Sequence, residues 1–313
     1  MRNQMEVKVN SLKAWLLASR PKTLAAAVAP VMVGLALAYN YYPSIRWVPA
    51  LACLFFAMMM QIAANLINDL YDFLKGSDGE DRLGPLRATA QGWITPSAMK
   101  KGIFVVVALA CLVGSTLIFY AGWEMVLVGA FCAVFAYFYT SGPYPLAYNG
   151  LGDVAVVVFF GIVAVGFTNY VQWLHWSSLV TGIGLMTGVV VNTLLILNNY
   201  RDRDTDKKSG KRTVVVLLGE AFGRYFYLAS GLMAAFFAFG LIAFNLFGEE
   251  KLSFPYGIYL SLSFLAYSFL HVSTWRKLSK IREGVALNAL IAETSRNMLV
   301  FSLLVSIDLV LLR

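Results

Sequence analysis

Two short acidic segments of this sequence carry the side chains that are best suited to binding cations. The first, residues 65–78, follows a long apolar run and places four oxygen-bearing side chains at positions i, i+3, i+4 and i+7: Asn65, Asn68, Asp69 and Asp72. On an α-helix this spacing puts all four on one face. Carboxylates this close repel one another in a poorly solvated site, so the face is best stabilised by metal ions between them.

The second segment, residues 198–206, follows another apolar run and presents a similar face, with Asn198, Asp202 and Asp206 spaced i, i+4 and i+8. A solvated helix end would explain one such segment equally well. Two segments, each containing Asn and followed by basic residues, favour a metal and phosphate site, because Mg²⁺ is usually held by one or two carboxylates together with substrate phosphates. The candidate Mg²⁺ ligands are therefore Asp69, Asp72, Asp78, Asp202 and Asp206.

Basic side chains beside the acidic segments could neutralise the charge of a departing diphosphate. The candidates for this role are Arg82, Lys207, Lys211 and Arg212. Arg82 and Arg87 lie in a loop with Gly84 and Pro85, which is rigid enough to aim a guanidinium. The alternative is that some basic residues, Lys208 among them, only mark the cytoplasmic side of a membrane.

A nearly uncharged stretch rich in tyrosine, residues 137–152, ends at Asp153. Electron-rich ring faces stabilise a nearby carbocation, and Tyr139 is the candidate for that role. Tyrosines also anchor membrane helices at the interface, which is the alternative explanation for many residues of the stretch. Asp153 could cap the following helix or position a substrate hydroxyl.

The composition is that of an integral membrane protein. Of the 313 residues, 59% are hydrophobic and only 13% are charged, which is about half the charged fraction of a soluble domain. Apolar runs of roughly 20 residues predict spanning helices. The expected fold is an all-α bundle around a central cavity with about nine spans, at 24–40, 47–68, 102–121, 123–140, 151–173, 177–198, 222–246, 254–274 and 286–311.

The distribution of basic residues predicts the orientation. With the N-terminus inside, the inner segments hold all of the 25 Lys and Arg residues except Arg46, Lys251, Arg296 and Arg313, as the positive-inside rule expects. Both long polar loops then face the cytoplasm, and the net charge of +8 requires no nucleic-acid partner. The two loops also suggest two pseudo-repeated halves within one domain of residues 1–313.

Several motifs together resemble the UbiA superfamily of intramembrane prenyltransferases, and within it the branch that acts on 1,4-dihydroxy-2-naphthoate. They extend over nearly the whole chain, at residues 18–24, 68–78, 82–87, 139–143, 150–153, 198–206, 210–211 and 218–220. The first superfamily motif commonly reads Asn-Asp-x-x-Asp-x-x-x-Asp. Here Gly76 stands where the last Asp would be, and Asp78 follows it. The naphthoate branch resembles this variant.

The resemblance implies a nine-helix bundle around a cavity that opens toward lipid, and Mg²⁺-dependent transfer of a chain from a polyprenyl diphosphate to 1,4-dihydroxy-2-naphthoate. Diphosphate and CO₂ would leave, and demethylmenaquinol would form. The expected catalytic residues are Asn68, Asp72, Asp202 and Tyr139. The expected acceptor-binding residues come from the set Arg20, Lys22, Arg87, Asn198 and Asp153. The expected location is the bacterial cytoplasmic (inner) membrane.

Two alternatives stay open at this point. A related enzyme could prenylate another aromatic acceptor, such as 4-hydroxybenzoate. A cation transporter built from inverted repeats is a more distant alternative, and it would place its carboxylates near the bilayer midplane. Both acidic segments instead lie at the ends of predicted spans on one side.

Overall fold

The computed structural model describes residues 7–77, 82–248 and 254–311, which fold into helices without any strand in these ranges. A π-helical segment, Val157–Val163, connects two of the helices. The α-helices in chain order are α1 Leu12–Ser19, α2 Ala25–Tyr41, α3 Trp47–Leu74, α4 Pro96–Ser115, α5 Ile118–Ala121, α6 Glu124–Thr140, α7 Gly152–Val156, α8 Ala164–Trp173, α9 Ser178–Lys208, α10 Val214–Gly248, α11 Phe254–Ile281 and α12 Leu287–Leu311.

The all-helical bundle is confirmed, but the count of nine spans is not. Within the described ranges six helical stretches are long and apolar enough to cross a membrane, and a seventh is added if the bent pair Leu12–Thr23 and Ala25–Tyr41 forms one span. Each predicted run overlaps a helix. Helix α6, however, has only 17 residues, fewer than the roughly 20 that a spanning helix needs.

Helices α3 and α9 continue further than the apolar runs that predict them. The predicted ends were 68 and 198, whereas the helices extend to Leu74 and Lys208. Both acidic segments are therefore the last turns of long helices, and their polar side chains are placed by the helical repeat. The two helices end at the same side of the bundle, because Tyr148 contacts the chain at both ends. Its hydroxyl donates to Asp72 Oδ1 in the last turn of α3 at 2.9 Å, and its carbonyl accepts from the Arg212 N–H, just beyond α9, at 3.0 Å.

The centre of the bundle is α9, which packs against α2, α10, α12 and the π-helical segment. Glycines permit the closest of these approaches. A Cβ atom at Gly188 would lie 2.4 Å from the carbonyl oxygen of Val157, and one at Gly161 would lie 2.5 Å from that of Gly184. No side chain fits at such distances, so the π-helical segment is held tightly against α9.

Large apolar side chains cover the outer faces of the bundle, as expected for helices that contact lipid. In the spanning part of α4 and α5 only 11% of the residues are buried inside the protein, and Phe104, Leu112 and Phe119 are exposed there. Phe236 and Phe269 are exposed on α10 and α11. In water this surface would be unfavourable, so the exposed face of the bundle supports the membrane assignment.

Candidate active site

A cavity of about 470 Å³ lies among α2, α3, α4, α6, α8, α9 and the π-helical segment. Its walls are mostly apolar. The polar side chains that line it are mainly those of Arg20, Thr23, Gln61, Asn65, Asn68, Tyr139 and Asn198. An apolar cavity with a few convergent polar groups is the usual form of a site for a ligand with an apolar body and a polar head.

In the first acidic segment, Asp72 is a buried carboxylate held by groups from two different loops. Its Oδ2 accepts a hydrogen bond from Arg87 Nη2 at 2.8 Å, and its Oδ1 accepts one from the Tyr148 hydroxyl at 2.9 Å. The Tyr148 hydroxyl is also 2.8 Å from Ser77 Oγ. Asp72 is therefore fixed in orientation, with its charge partly compensated by a buried guanidinium.

Asp69 lies on the same helix, but its carboxylate is directed into a loop. It is 1% exposed, and its two oxygens accept hydrogen bonds from the backbone N–H groups of Ala88 and Thr89 at 2.9 and 2.8 Å. In this structure Asp69 anchors the loop that carries Arg87. A metal ion at Asp69 would have to share an oxygen with these amides, just as one at Asp72 would share an oxygen with Arg87 or Tyr148.

In the second acidic segment, Asp202 is paired with the preceding residue on α9. Arg201 donates from Nε to Oδ1 at 2.8 Å and from Nη2 to Oδ2 at 2.5 Å. This two-bond pairing fixes the plane of the carboxylate as well as its position. Asp202 is thus oriented by a residue of its own helix rather than by a loop.

Asp206, one turn further along α9, has a carboxylate oxygen that no other side chain uses. Its Oδ1 lies 3.5 Å from Lys211 Nζ, whereas its buried Oδ2 has no hydrogen-bond partner among the described residues. Asp72 and Asp202 are both close enough for their charges to act on this carboxylate. A buried carboxylate oxygen without a partner is costly, and a cation at this point would remove the cost.

The arrangement fits Mg²⁺ that is completed by a substrate. No group of three metal-ligating side chains converges within the described ranges. Instead, carboxylates at the ends of α3 and α9 approach one another from two sides. Mg²⁺ characteristically takes one or two protein carboxylates and fills its other positions with phosphate oxygens and water. Of the predicted ligands, Asp72 and Asp202 both lie close enough to Asp206 for their charges to act on it, and Asp78 lies outside the described residues.

Three predicted residues line the cavity close to these carboxylates. The hydroxyl of Thr140 donates to Asn68 Oδ1, and Asn198 Nδ2 donates to the Leu194 carbonyl at 3.0 Å. The phenol of Tyr139 lies within reach of the charges of Asp72 and Asp206. Tyr139 therefore lies between the acidic segments and the apolar cavity.

The predicted diphosphate-binding cations differ in their placement. Lys211 lies beside Asp206 and so inside the site. Arg82 donates from Nε to the Pro85 carbonyl at 3.0 Å within its own loop. Lys207 and Arg212 have exposed side chains at the end of α9 and just beyond it. Lys211 is thus placed directly beside a carboxylate of the site.

The predicted acceptor-binding residues are spread over several positions. Arg20 lines the cavity from a turn in which it has a left-handed backbone, φ 52°. Asn65 holds this turn, since its Nδ2 donates to the Ser19 carbonyl at 3.0 Å and to Thr23 Oγ1 at 2.9 Å. Lys22 is exposed. Arg20 is therefore the basic residue of the set that the structure places in the cavity wall.

Arg87 and Asp153, also predicted to bind the acceptor, contact other protein groups. Arg87 is paired with Asp72. Asp153 is buried, accepts a hydrogen bond from Asn192 Nδ2 at 3.0 Å, and lines a separate small cavity below Tyr139. Its carboxylate is part of the contact between α7 and α9.

Sequence reasoning did not single out Lys75 and Tyr148, which the fold brings into the site. Lys75 Nζ donates to the Thr140 carbonyl at 2.5 Å and lies 4.1 Å from the Tyr148 ring centre. Partial burial lowers the pKa of Lys75, with the Lys211 charge adding to this and the Asp72 charge opposing it. Burial and the Asp72 charge raise the pKa of Tyr148. The only signal for Lys75 was its position three residues after Asp72.

Known proteins resemble this chain in sequence and in fold. The UbiA prenyltransferase family matches residues 27–286. The 1,4-dihydroxy-2-naphthoate octaprenyltransferase of Escherichia coli is 37% identical over 256 residues, which is 79% of this chain and 81% of that protein. The enzyme of the same name from Mycobacterium tuberculosis is 37% identical over 226 residues, 72% of this chain and 75% of that protein.

A solved structure shows the same fold at much lower identity. It is that of a UbiA homolog from Archaeoglobus fulgidus bound to GPP and Mg²⁺, with a TM-score of 0.66, 15% identity, and coverage of 95% of this chain and 99% of that chain. The family match includes both acidic segments and most of the residues that line the cavity. On these grounds the chain belongs to the UbiA prenyltransferase family.

Proposed function

We propose that this protein transfers a polyprenyl chain from a polyprenyl diphosphate to 1,4-dihydroxy-2-naphthoate and releases diphosphate and CO₂ to give demethylmenaquinol. One observation carries the proposal: an apolar cavity among membrane helices has its polar end beside two carboxylate segments that are interleaved with cations. The names of the relatives supply the acceptor, since several proteins 30–37% identical to this chain are 1,4-dihydroxy-2-naphthoate octaprenyltransferases.

The polyprenyl diphosphate donor has an apolar part and a charged part, and each matches one part of the site. The isoprenoid tail lies against the apolar walls of the cavity, while the diphosphate reaches the ends of α3 and α9. Lys75 and Lys211, near the same Tyr148 ring, supply positive charge for the phosphate oxygens. The membrane therefore holds the tail, and the protein needs to enclose only the reacting end.

Asp72, Asp202 and Asp206 would hold Mg²⁺ against the diphosphate, and Asn68 and Asn198 would orient ligands or the acceptor. When bound, Mg²⁺ neutralises the charge that develops on the leaving diphosphate. The protein contributes the fixed positions of the carboxylates. We expect Mg²⁺ to stabilise the Asp206 carboxylate most, because its Oδ2 has no hydrogen-bond partner among the described residues.

The chemical step breaks the allylic C–O bond, and diphosphate leaves with the electron pair. The Tyr139 ring, at the boundary between the acidic segments and the cavity, shelters the positive charge on the allylic carbon. The ring carbon of the acceptor that carries the carboxylate forms the new C–C bond. CO₂ then leaves, and its bonding electrons restore the aromatic ring. Arg20 in the cavity wall is our choice for binding the carboxylate before this step.

We place the acidic ends of α3 and α9 on the cytoplasmic side of a bacterial inner membrane, in line with the basic residues at that end. A single Cys introduced at exposed Gly210 should react with a membrane-impermeant maleimide only after cells are opened. Reaction of this Cys in intact cells would contradict the proposed orientation.

The proposal is tested with purified protein in liposomes. Dihydroxynaphthoate labelled in its carboxylate and prenyl diphosphates of several lengths should give labelled CO₂ and a lipid quinol in the presence of Mg²⁺, and neither product with EDTA. An acceptor panel that includes 4-hydroxybenzoate decides the acceptor. Transfer to 4-hydroxybenzoate alone would contradict the naphthoate assignment, and transport of Mg²⁺ without diphosphate release would contradict an enzyme.

A further inference from the structure

Asn288, the second residue of α12, connects the second acidic segment with the loop that follows the first. Its Oδ1 accepts a hydrogen bond from Arg201 Nη1 at 2.9 Å, and its Nδ2 donates to the Leu83 carbonyl at 2.9 Å. A carboxamide has one acceptor oxygen and one donor nitrogen, and here both ends bridge to different parts of the site. Asn288 itself is not part of the cavity wall.

The guanidinium that Asn288 contacts is confined on several sides. Arg201 is 4% exposed and directs Nε and Nη2 to Asp202 while Nη1 bonds to Asn288. Gly84 lies against it, since a Cβ atom there would be 2.7 Å from Nη2. Any larger residue would push the guanidinium away, so a loop glycine and an α12 amide together determine how Arg201 meets Asp202.

A residue such as Asn288 can affect a metal site without contacting the metal ion. Groups that hydrogen-bond to a metal-binding carboxylate fix its orientation, and their removal typically lowers metal affinity or activity by 10–100-fold. Asn288 acts one step further out, because it holds the residue that holds Asp202. Through Leu83 it also holds the loop that carries Arg82 and Arg87.

We propose that Asn288 is a positioning residue for the prenyl transfer, because it fixes the Arg201–Asp202 pair and the 83–87 loop relative to each other. Helix α12 thereby takes part in assembling the metal and diphosphate site. This inference rests on the proposed function. It assigns to the last helix a role that neither acidic segment reveals. The bond to Arg201 sets the Mg²⁺ requirement, and the bond to Leu83 sets the diphosphate affinity.

The test compares two asparagines on one helix. Asn297 also lies on α12, is buried, and donates from Nδ2 to Thr274 Oγ1 at 2.9 Å, but it contacts neither acidic segment. Asn288→Ala should raise the Mg²⁺ concentration for half-maximal rate about 10-fold and raise the KM for the prenyl diphosphate. Asn297→Ala should leave both at their wild-type values, whatever its effect on thermal stability.

A binding measurement separates this effect from turnover. Mn²⁺ titrated into the protein with a non-hydrolysable prenyl thiolodiphosphate, without acceptor, is followed by its EPR signal. Asn288→Ala should weaken Mn²⁺ binding about 10-fold, and Asn297→Ala should not. Asn288→Asp supplies a second variant: it keeps an acceptor for Arg201 but loses the donor to Leu83, so we expect a raised diphosphate KM with a Mg²⁺ requirement close to that of wild type.

The outcomes distinguish this proposal from the proposed function. A wild-type protein without Mg²⁺-dependent prenyl transfer would remove the function itself. An active wild type in which Asn288→Ala matches Asn297→Ala in Mg²⁺ requirement, Mn²⁺ binding and diphosphate KM would remove the positioning role. If Asn288→Ala does not fold, an unchanged diphosphate KM in Asn288→Asp would overturn the proposal.

Discussion

The two acidic segments end long helices and contain the same residue types, yet they are held by different means. At the end of α3, Asp72 is held by Arg87 and Tyr148, which arrive from two separate loops. At the end of α9, Asp202 is held by its neighbour Arg201, and Asp206 keeps an oxygen without a partner. In the first segment the direct partners of Asp72 thus come from other parts of the chain. In the second segment the direct partner of Asp202 belongs to the same helix, and tertiary contacts reach Asp202 through Arg201.

Two segments with similar sequence patterns can therefore have different roles in the same metal and diphosphate site. In the first segment, Asp72 already has both of its carboxylate oxygens in hydrogen bonds, so it contributes a fixed, partly neutralised charge. The second segment provides the open ligand atom. We therefore expect the two halves to respond unequally to the same kind of substitution, which is what the following predictions measure.

The largest effect is expected from Asp206→Asn. Among the described carboxylates of the site, Asp206 is the one with an open oxygen. The change removes its charge, so Mg²⁺-dependent transfer should fall on the order of 100-fold or more. The matched control is Asp308→Asn, because Asp308 is buried on α12 with Ser263 Oγ donating to it at 3.1 Å and lies outside the cavity wall. A rate for Asp206→Asn close to that of the control would show that the second segment does not supply the metal ligand.

A second comparison sets Arg87→Met against Lys211→Met. Arg87 and Asp72 form a buried pair, and removal of one partner leaves a buried charge that costs about 3–5 kcal/mol of unfolding free energy. The Lys211–Asp206 contact is longer and partly exposed, so its loss should cost no more than about 1 kcal/mol while raising the KM for the prenyl diphosphate. Thermal unfolding in detergent measures the first difference. Equal destabilisation by the two changes would contradict the contrast between the segments.

Tyr148→Phe should reduce the transfer rate roughly 10-fold, because the lost hydroxyl donates to the charged Asp72 carboxylate and such bonds contribute about 1.5–3 kcal/mol. Tyr227→Phe is the control, since its hydroxyl is 2.9 Å from Thr294 Oγ1 in the packing of α10 against α12. Steady-state kinetics of the two variants measure the contrast. Equal rates would mean that Asp72 does not need its phenol partner.

The smallest effect concerns pH. Diphosphate binding needs protonated Lys75, and partial burial lowers the pKa of Lys75, so the KM for the diphosphate should rise as the pH increases through that lowered value. Lys75→Arg keeps its charge at high pH and should remove this alkaline rise, whereas Lys100→Arg on exposed α4 should retain it. A rise that persists in Lys75→Arg would assign the titration to another group.

The helical spacing of the first segment was predicted correctly, whereas the hydrogen-bond partners of its carboxylates could not be read from the sequence. Asp69 and Asp72 lie on one helix as expected. Periodicity could not show that the Asp69 oxygens accept the N–H groups of Ala88 and Thr89, because those amides reach it only when the loop folds back. The same holds for Tyr148, 76 positions from its partner Asp72.

The predicted span ends differ from the helix ends for another reason. Each predicted apolar run overlaps a helix, but α3 and α9 continue for one to three further turns through polar residues. Hydropathy marks where a helix contacts lipid, whereas helix ends depend on backbone hydrogen bonds and on partners for polar side chains. In the acidic segments, Arg87, Tyr148 and Lys211 supply such partners to the carboxylates.

By itself the sequence determined the helical membrane class, the family, and the presence of two acidic segments at span ends with cations beside them. These follow from hydropathy, residue spacing and local motifs, all of which are readable within short windows. Only the tertiary structure decided that Asp69 anchors a loop, that Asp206 keeps an open oxygen and that Asn288 joins the two halves. Hydrogen-bond partners distant in the chain make that choice, and no local pattern encodes which of several identical carboxylates they will reach.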